Sequence, residues 1–388
     1  MNPLQGIVVA DFSRILADPL CTQLLADAGA RVIKVEEPGR GDETRRWGPP
    51  FVRGVSAYFL SINRNKESIT VNMKTEAGRK IARELIDRAD VVIDNFLPSQ
   101  RASLGFTHVS PRAVRCTISG FDSDTADADV PGYDVLAQAG SGLMSITGAA
   151  GGDPTKVGVA VDDVLTAHYA YGAICAALVA RERTGEGSAI EISLFGAAVA
   201  SLINVVQSAL ITKNEALRHG SAHPSITPYQ TFHGSDRAFA IGVGTDRHFA
   251  QLCARVLERP ELASDPRFAT NAARVENRAA LVALLEEAFA TKPADVWVAR
   301  CREASVPAEL VRGVLEALQT PAGRALIETV KHPEIGSYEA VRNPVRIDGE
   351  RRPPSSPPPA LGAQTEAILR ELGYSESDIA ALRRSGAI

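Results

Sequence analysis

The first half of the chain alternates short apolar runs with longer stretches in which apolar residues recur every three or four positions. GIVVADF, residues 6–12, reads as a strand, PLCTQLLADAGA as a helix closed by Gly29, and RVIKVEE as the next strand. SITVNM leads into EAGRKIARELIDRA, where Ile81, Leu85 and Ile86 line one helical face, and VVIDNF and AVRCTISGF follow as strands. This rhythm predicts an α/β fold, a parallel sheet covered by helices on both faces with any ligand near the carboxyl ends of the strands.

Beyond about residue 215 the texture changes. A loop with Gly220, Pro224 and Pro228 precedes RAFAIGVG, a predicted strand, and helices are predicted at DRHFAQLCARVLE, RAALVALLEEAF and ADVWVARCREA. Residues 216–325 thus read as a smaller α+β domain after a large domain over 1–215. After VPAELV, a helix is predicted at GRALIETV, a strand at GSYEAVRNPVRI, an extended connector at RRPPSSPPP and a helical hairpin turned at Gly373.

Composition narrows the function. Of the 388 residues 45% are hydrophobic and 23% charged, as in ordinary globular proteins, and a net charge of -4 argues against nucleic-acid binding by bulk electrostatics. SRILADPL follows the first strand where a dinucleotide fold would carry G-x-G-x-x-G, so hydride transfer is disfavoured. With no uncharged apolar run of about 18 residues and no basic flank before GIVVADF, the expectation is a cytoplasmic protein that does not enter a membrane. The five cysteines are scattered, and His219 and His223 stand in a Gly- and Pro-marked loop, so neither a disulfide framework nor a metal site is expected.

Candidate chemistry centres on VGVAVDDVLTAHYAYGAICAAL, residues 157–178, where Asp162 and Asp163 separate a strand-like run from a helical one. A carboxylate at a helix start accepts backbone N–H bonds and is held ionised by the helix dipole. That anion is either a cap or a nucleophile for an activated carbonyl. Arg45, Arg46, Arg64, Lys66 and Lys74 are either phosphate ligands or solvated surface charge.

The succession of LQGIVVADFSRILADPLCTQLLADAGARVIKVEEPGRGDETRRWGPP, SAYFLSINRNKESITVNMK, ADVVIDNFLP, GYDVLAQAGSGLMSITG, PTKVGVAVDD and LRELGYSESDIAALRRSGAI resembles the class III CoA-transferases nearly end to end. The resemblance implies a Rossmann-like large domain, to which 326–388 returns, a smaller α+β domain and an interlocked homodimer. It implies Asp163 as nucleophile, with Asp162 the competing assignment. The substrates would be acyl-CoA thioesters and carboxylic acids, with no permanently bound cofactor and no metal. Carried over by position, the CoA site comprises Leu16, Ala17, Val71, Asn72, Met73, Lys74, Asn95 and Phe96, with Tyr133 and Asp134 flanking the thioester. Asn95 is the candidate oxyanion donor, and Phe96 serves either the pantetheine arm or the core. The alternatives are a 2-methylacyl-CoA racemase, whose relatives carry His where Tyr133 stands, and a non-catalytic CoA-binding protein. This chain departs from the pattern at Asp18, where Gly is usual, at Ser103, near Arg101, at Ala167, and in a loop carrying Asp122, Asp124, Asp127 and Asp129.

Overall fold

The computed structural model describes residues 2–104, 110–352 and 355–388, with the side chains of Ala102 and Ser103 outside that description. Two compact units divide the chain: Met1–Met144, Lys156–Asn214 and Arg324–Ile388 form one, Ser145–Thr155 and Glu215–Gly323 the other.

The first unit is built on six strands, β1 (Val8–Asp11), β2 (Arg31–Glu36), β3 (Lys66–Thr70), β4 (Val91–Asp94), β5 (Val114–Ser119) and β6 (Ser188–Ser193). They pair in the order β3-β2-β1-β4-β5-β6, every neighbour parallel, with Val9 opposite both Val32 and Val91. The connecting helices include α1 (Ala17–Asp27), α2 (Glu76–Arg88) and α3 (Val161–Thr184). Alternate strand residues face opposite sides. Val9, Val32, Val91 and Val114 pack with Cys21 and Leu25 of α1 and Ala167, Ala170 and Ile174 of α3. Ala10, Ile33, Ile69 and Val92 pack with Ile81, Leu85 and Ile86 of α2 and with Ile368 and Ile379 of the terminal hairpin. Strands buried on both faces account for the near-continuous apolar runs seen in the sequence.

The order of strands reverses between β1 and β4, which opens a crevice at their carboxyl ends where ligands of such sheets bind. The terminal hairpin, Thr365–Leu372 and Glu376–Arg384, turns at Gly373 with φ of 101°, as its sequence predicts. GRALIETV is not the expected helix. Helix ends at Arg324, and Ile327–His332 is a strand pairing antiparallel with Gly336–Val341. Its burial alternates, Glu328, Val330 and His332 inward and Thr329 and Lys331 outward, so period two outweighs the local helical spacing.

The second unit carries a three-stranded antiparallel sheet, Tyr229–His233, Ala238–Gly242 and Ala308–Leu310, packed by Arg278–Phe289 and Ala294–Glu303 around Phe232, Phe239, Phe289 and Trp297. DRHFAQLCARVLE is α-helical only to Gln251 and continues as a π-helical turn over Leu252–Val256. Helix α3 meets the length and composition of a membrane span, a test that core helices of globular domains also pass; one stripe of it lies in the sheet core.

Candidate active site

Two adjoining cavities, both within the first unit, open at the carboxyl edge of the sheet. The cavity of about 260 Å³ is lined by the turn after β1, by Asn95 and Phe96 after β4, by Gly120, Gly132 and Tyr133, and by Asp163. The one of about 410 Å³ lies between Glu36–Asp42 and Val71–Lys74 and shares Arg14, Phe96 and Gln100 with the first. The predicted residues divide between them: Leu16, Ala17, Asn95, Tyr133 and Asp163 in the smaller, Val71, Asn72, Met73 and Lys74 in the larger, Phe96 in both. Asp134 lines neither; its hydrogen bonds are described below.

The turn after β1 is set by Ile15 at φ of 76°, a conformation that β-branched residues rarely adopt and that costs about 1–3 kcal/mol. Beneath it lies a buried ionic network. Lys34 Nζ is 2.9 Å from Asp42 and donates to the Ser13 carbonyl oxygen, while Lys66 Nζ donates to the Pro19 carbonyl and the Asn63 side chain and is 3.3 Å from Asp11. Lys34 and hydrogen bonds from Thr44 hold the Asp42 carboxyl down at about 2 against its burial, whereas burial lowers Lys66 to about 8. On the far side Gly120 and Gly132 pass back to back. A Cβ on Gly132 would sit 2.3 Å from the Cα of Gly120, so only glycine closes the 120–132 loop in this way.

The helix bearing Asp163 begins differently from expectation. Ala160 is the cap residue, so Asp162 and Asp163 are the second and third residues of α3, and neither caps it. Asp134 does that work from outside, its Oδ1 accepting from the Asp162 backbone N–H at 2.9 Å and its Oδ2 from Gln138 Nε2 at 2.7 Å. Asp163 is 9% exposed. Burial first, then Asp134 and Asp162, push its carboxyl up to about 7, and burial with Asp134 raises Asp162 to about 6. The expected fully ionised carboxylate at the helix start is therefore corrected: desolvation and two like charges outweigh the helix end, and the group titrates near neutrality. Both carboxylate oxygens of Asp162 are buried without a hydrogen-bond partner among the described residues.

Several proposed phosphate ligands serve elsewhere. Arg45 makes two bonds to Glu36 at 2.7 and 2.8 Å and lies 3.8 Å over the ring of Phe59. Arg64 is paired with Asp27, and Lys66 is wholly buried in the network above. Arg101, near Ser103 in sequence, turns inward to Asp94 at 3.2 Å; the Ser103 side chain lies outside the described residues. Arg46 and Lys74 do reach the larger cavity, where Arg40 joins them, and Lys74 also meets Glu37 at 2.7 Å. Asn95 donates to the Arg14 carbonyl at 2.8 Å and leaves Oδ1, an acceptor, buried and without a partner among the described residues. The acidic loop is fastened to its surroundings through Asp129, which accepts from the backbone and hydroxyl of Ser99, and through a bond from Ser123 to Glu191.

Reading the sequence missed Arg14, Gln100, Arg40 and Tyr58. Tyr58 follows a Ser56 cap, and burial with Asp163, Asp134 and Asp42 raises its phenol to about 12. The cap pattern at Ser56 was legible, but nothing local aims a tyrosine at an aspartate about a hundred residues later.

Fold and site together define an α/β protein with a buried, near-neutral carboxyl at the reversal of strand order. The model of CoA-transferase family III matches residues 4–365. Succinyl-CoA:glutarate CoA-transferase from Mus musculus is 40% identical over 396 residues, covering 100% of this chain and 91% of that protein. Acetyl-CoA:oxalate CoA-transferase from Acetobacter aceti is 38% identical and covers 97% of each chain. Among solved structures, a CAIB/BAIF family protein from Brucella suis aligns with a TM-score of 0.83 at 39% identity, over 96% of this chain and 99% of that one. The chain belongs to CoA-transferase family III and is an enzyme of that class.

Proposed function

We propose that the protein moves CoA from an acyl-CoA donor to a carboxylic acid through covalent intermediates on Asp163. The observation that carries this reading is the position of Asp163: a buried carboxyl, titrating near 7, in the cavity where β1 and β4 diverge. An ionised oxygen of Asp163 attacks the thioester carbon, the C–S bond breaks, and CoA leaves as thiolate from a mixed anhydride. The thiolate then attacks the aspartyl carbonyl, the donor acid departs as carboxylate, and an aspartyl-CoA thioester remains. The acceptor carboxylate displaces thiolate from that thioester to form a second anhydride, and thiolate attack on the acceptor acyl carbon yields the new acyl-CoA and frees Asp163. Each step is acyl transfer between oxygen and sulfur, so the cycle requires neither metal nor prosthetic group.

In this reading the larger cavity takes the phosphate-bearing end of CoA, with Arg40, Arg46 and Lys74 as cations. Phe96 supports the pantetheine arm, whose amide N–H suits the Oδ1 of Asn95, while the second hydrogen of Asn95 Nδ2 serves the oxyanion-donor role. Leu16, Ala17 and Tyr133 border the thioester. The relatives act on succinyl, glutaryl, acetyl and oxalyl groups by their names, which supports a short dicarboxylic acid as acceptor.

We also infer an interlocked homodimer. Tyr169 and Val179 on α3, with Ile203, Leu210 and Ile211, expose apolar side chains of the kind that a subunit interface covers; light scattering is expected to give about twice 41.2 kDa. Five unpaired cysteines, four of them buried, suit the reducing cytoplasm inferred for the chain.

The test is to incubate the protein with succinyl-CoA, quench with hydroxylamine and map the adduct by mass spectrometry. Modification at Asp163 is expected, and modification at a different carboxyl would overturn the assignment. Exchange of the α-proton in deuterated buffer without an acceptor would instead favour a racemase.

A further inference from the structure

A second carboxyl in the smaller cavity has no part in the cycle above. Asp18, in the first turn of α1, is 2% exposed and lines the same cavity as Asp163, Asn95 and Tyr133. Its Oδ1 has no hydrogen-bond partner among the described residues. A buried polar atom left unpaired costs about 1–3 kcal/mol, so its persistence beside a reactive group points to a partner that arrives with the substrate.

The groups facing Asp18 are Asp11 from β1, Asp94 from β4 and Asp163 from α3, with the thiols of Cys21 on its own helix and Cys116 on β5. The nearby cations are committed to other carboxylates: Lys66 to Asp11, Lys34 to Asp42, Arg101 to Asp94. Burial, then Asp11, Asp94 and Asp163, hold the Asp18 carboxyl well above the usual carboxylate range, against a hydrogen bond from its own backbone N–H. A neutral carboxyl carries one O–H donor, whereas an ionised one only accepts. Asn95, bonded to Arg14, presents an acceptor to this space.

We propose that Asp18 is a second catalytic side chain, whose O–H donates a hydrogen bond to the carbonyl or carboxylate oxygen of the acyl group brought to Asp163. Negative charge gathers on that oxygen as the tetrahedral intermediates form, and a fixed donor in a dry site stabilises it. No bond to Asp18 forms or breaks, and its proton stays in place. Ionisation of Asp18 would remove the donor and set a carboxylate against an anionic acceptor acid. The cycle therefore needs Asp163 ionised and Asp18 protonated, which bounds the rate on both sides of its optimum pH. This role rests on the reading of Asp163 as nucleophile.

The test compares wild type, Asp18→Asn and Asp18→Ala with succinyl-CoA and glutarate across pH. Wild type is expected to show a bell-shaped kcat/KM. Asn retains an N–H donor and cannot ionise, so Asp18→Asn keeps kcat/KM within about threefold at neutral pH and loses the alkaline fall. Asp18→Ala loses the donor and falls about ten- to a hundredfold. Wild-type kcat/KM in the Ala variant, an unchanged alkaline limb in the Asn variant, or equal impairment of both would overturn the proposal. Hydroxylamine trapping in the same three proteins separates the two readings. An adduct at Asp163 without any Asp18-dependent limb sinks the role of Asp18 alone, and no adduct at Asp163 in wild type sinks the nucleophile.

Discussion

Two sets of buried carboxyl groups lie within one unit of this protein and behave in opposite ways. Asp11, Glu36 and Asp42, around the ends of β1 and β2, each meet a lysine or arginine and are held below their ordinary range. Asp18, Asp162 and Asp163, in the first turns of α1 and α3, meet mainly other carboxyls and are pushed above it. Burial penalises the charge in both sets; in the first a lysine or arginine at contact distance outweighs it, and in the second none stands there among the described residues, while Asp94 stays raised by burial even with Arg101 at 3.2 Å. The paired set is scaffold, since removing one partner strands a charge. In the unpaired set, Asp162 and Asp163 exchange their protons near physiological pH, and Asp18 is held well above the usual carboxylate range.

The largest effect is expected at Asp163. Replacement by Asn leaves shape and burial but removes the nucleophile, and kcat is expected to fall on the order of a thousandfold or more while the fold persists; steady-state kinetics and circular dichroism check this. The paired set predicts the converse. Lys66→Met strands Asp11, so unfolding free energy should fall by about 3–5 kcal/mol in a denaturant titration, because an uncompensated buried charge remains.

The pH dependence of stability should carry opposite signs in the two sets. Asp163 has a folded pKa of about 7 against an ordinary carboxylate value of 3.8, so its neutral form is favoured by folding and it costs stability increasingly as pH rises between those values. The melting temperature of Asp163→Asn relative to wild type should therefore climb from pH 4 to about 7 and then level. Asp42, at about 2 against 3.8, stabilises the fold above pH 4 and loses that contribution as pH falls toward 2, so the deficit of Asp42→Asn should shrink on acidification. Thermal melts of both variants across pH would test the pair. The smallest effect is expected at the exposed rim of the larger cavity. Arg46→Ala should raise KM for the acyl-CoA a few-fold, about what loss of one solvent-screened phosphate contact costs, and leave kcat in place.

Much of the architecture could be read from the chain because it rests on local repetition. The apolar runs at Val8–Asp11, Arg31–Glu36 and Val91–Asp94 mark strands buried on both faces, and Ile81, Leu85 and Ile86 mark a helix with one covered face. Ile327–His332 is the exception, since its mixed apolar spacing fits both periods and pairing with Gly336–Val341 settles the outcome. At the site, the turn after β1, VNMK, DNF and GYD were legible as motifs. The commitments of individual side chains were not: Arg45 to Glu36, Arg64 to Asp27 and Lys66 to Asp11 look in sequence like cations available to a phosphate.

The alternation of strands and helices, the family pattern, and the pair of aspartates ahead of an apolar helix are each written in neighbouring residues or in their order. The chemical state of those aspartates depends on packing. A helix start alone favours an anion, but packing α3 against α1 removes water, brings Asp134 to the backbone of Asp162, and sets Asp18 in the same cavity as Asp163. Protonation is governed by desolvation and by charges within a few ångströms, and those distances exist only once residues far apart in the chain have been folded together.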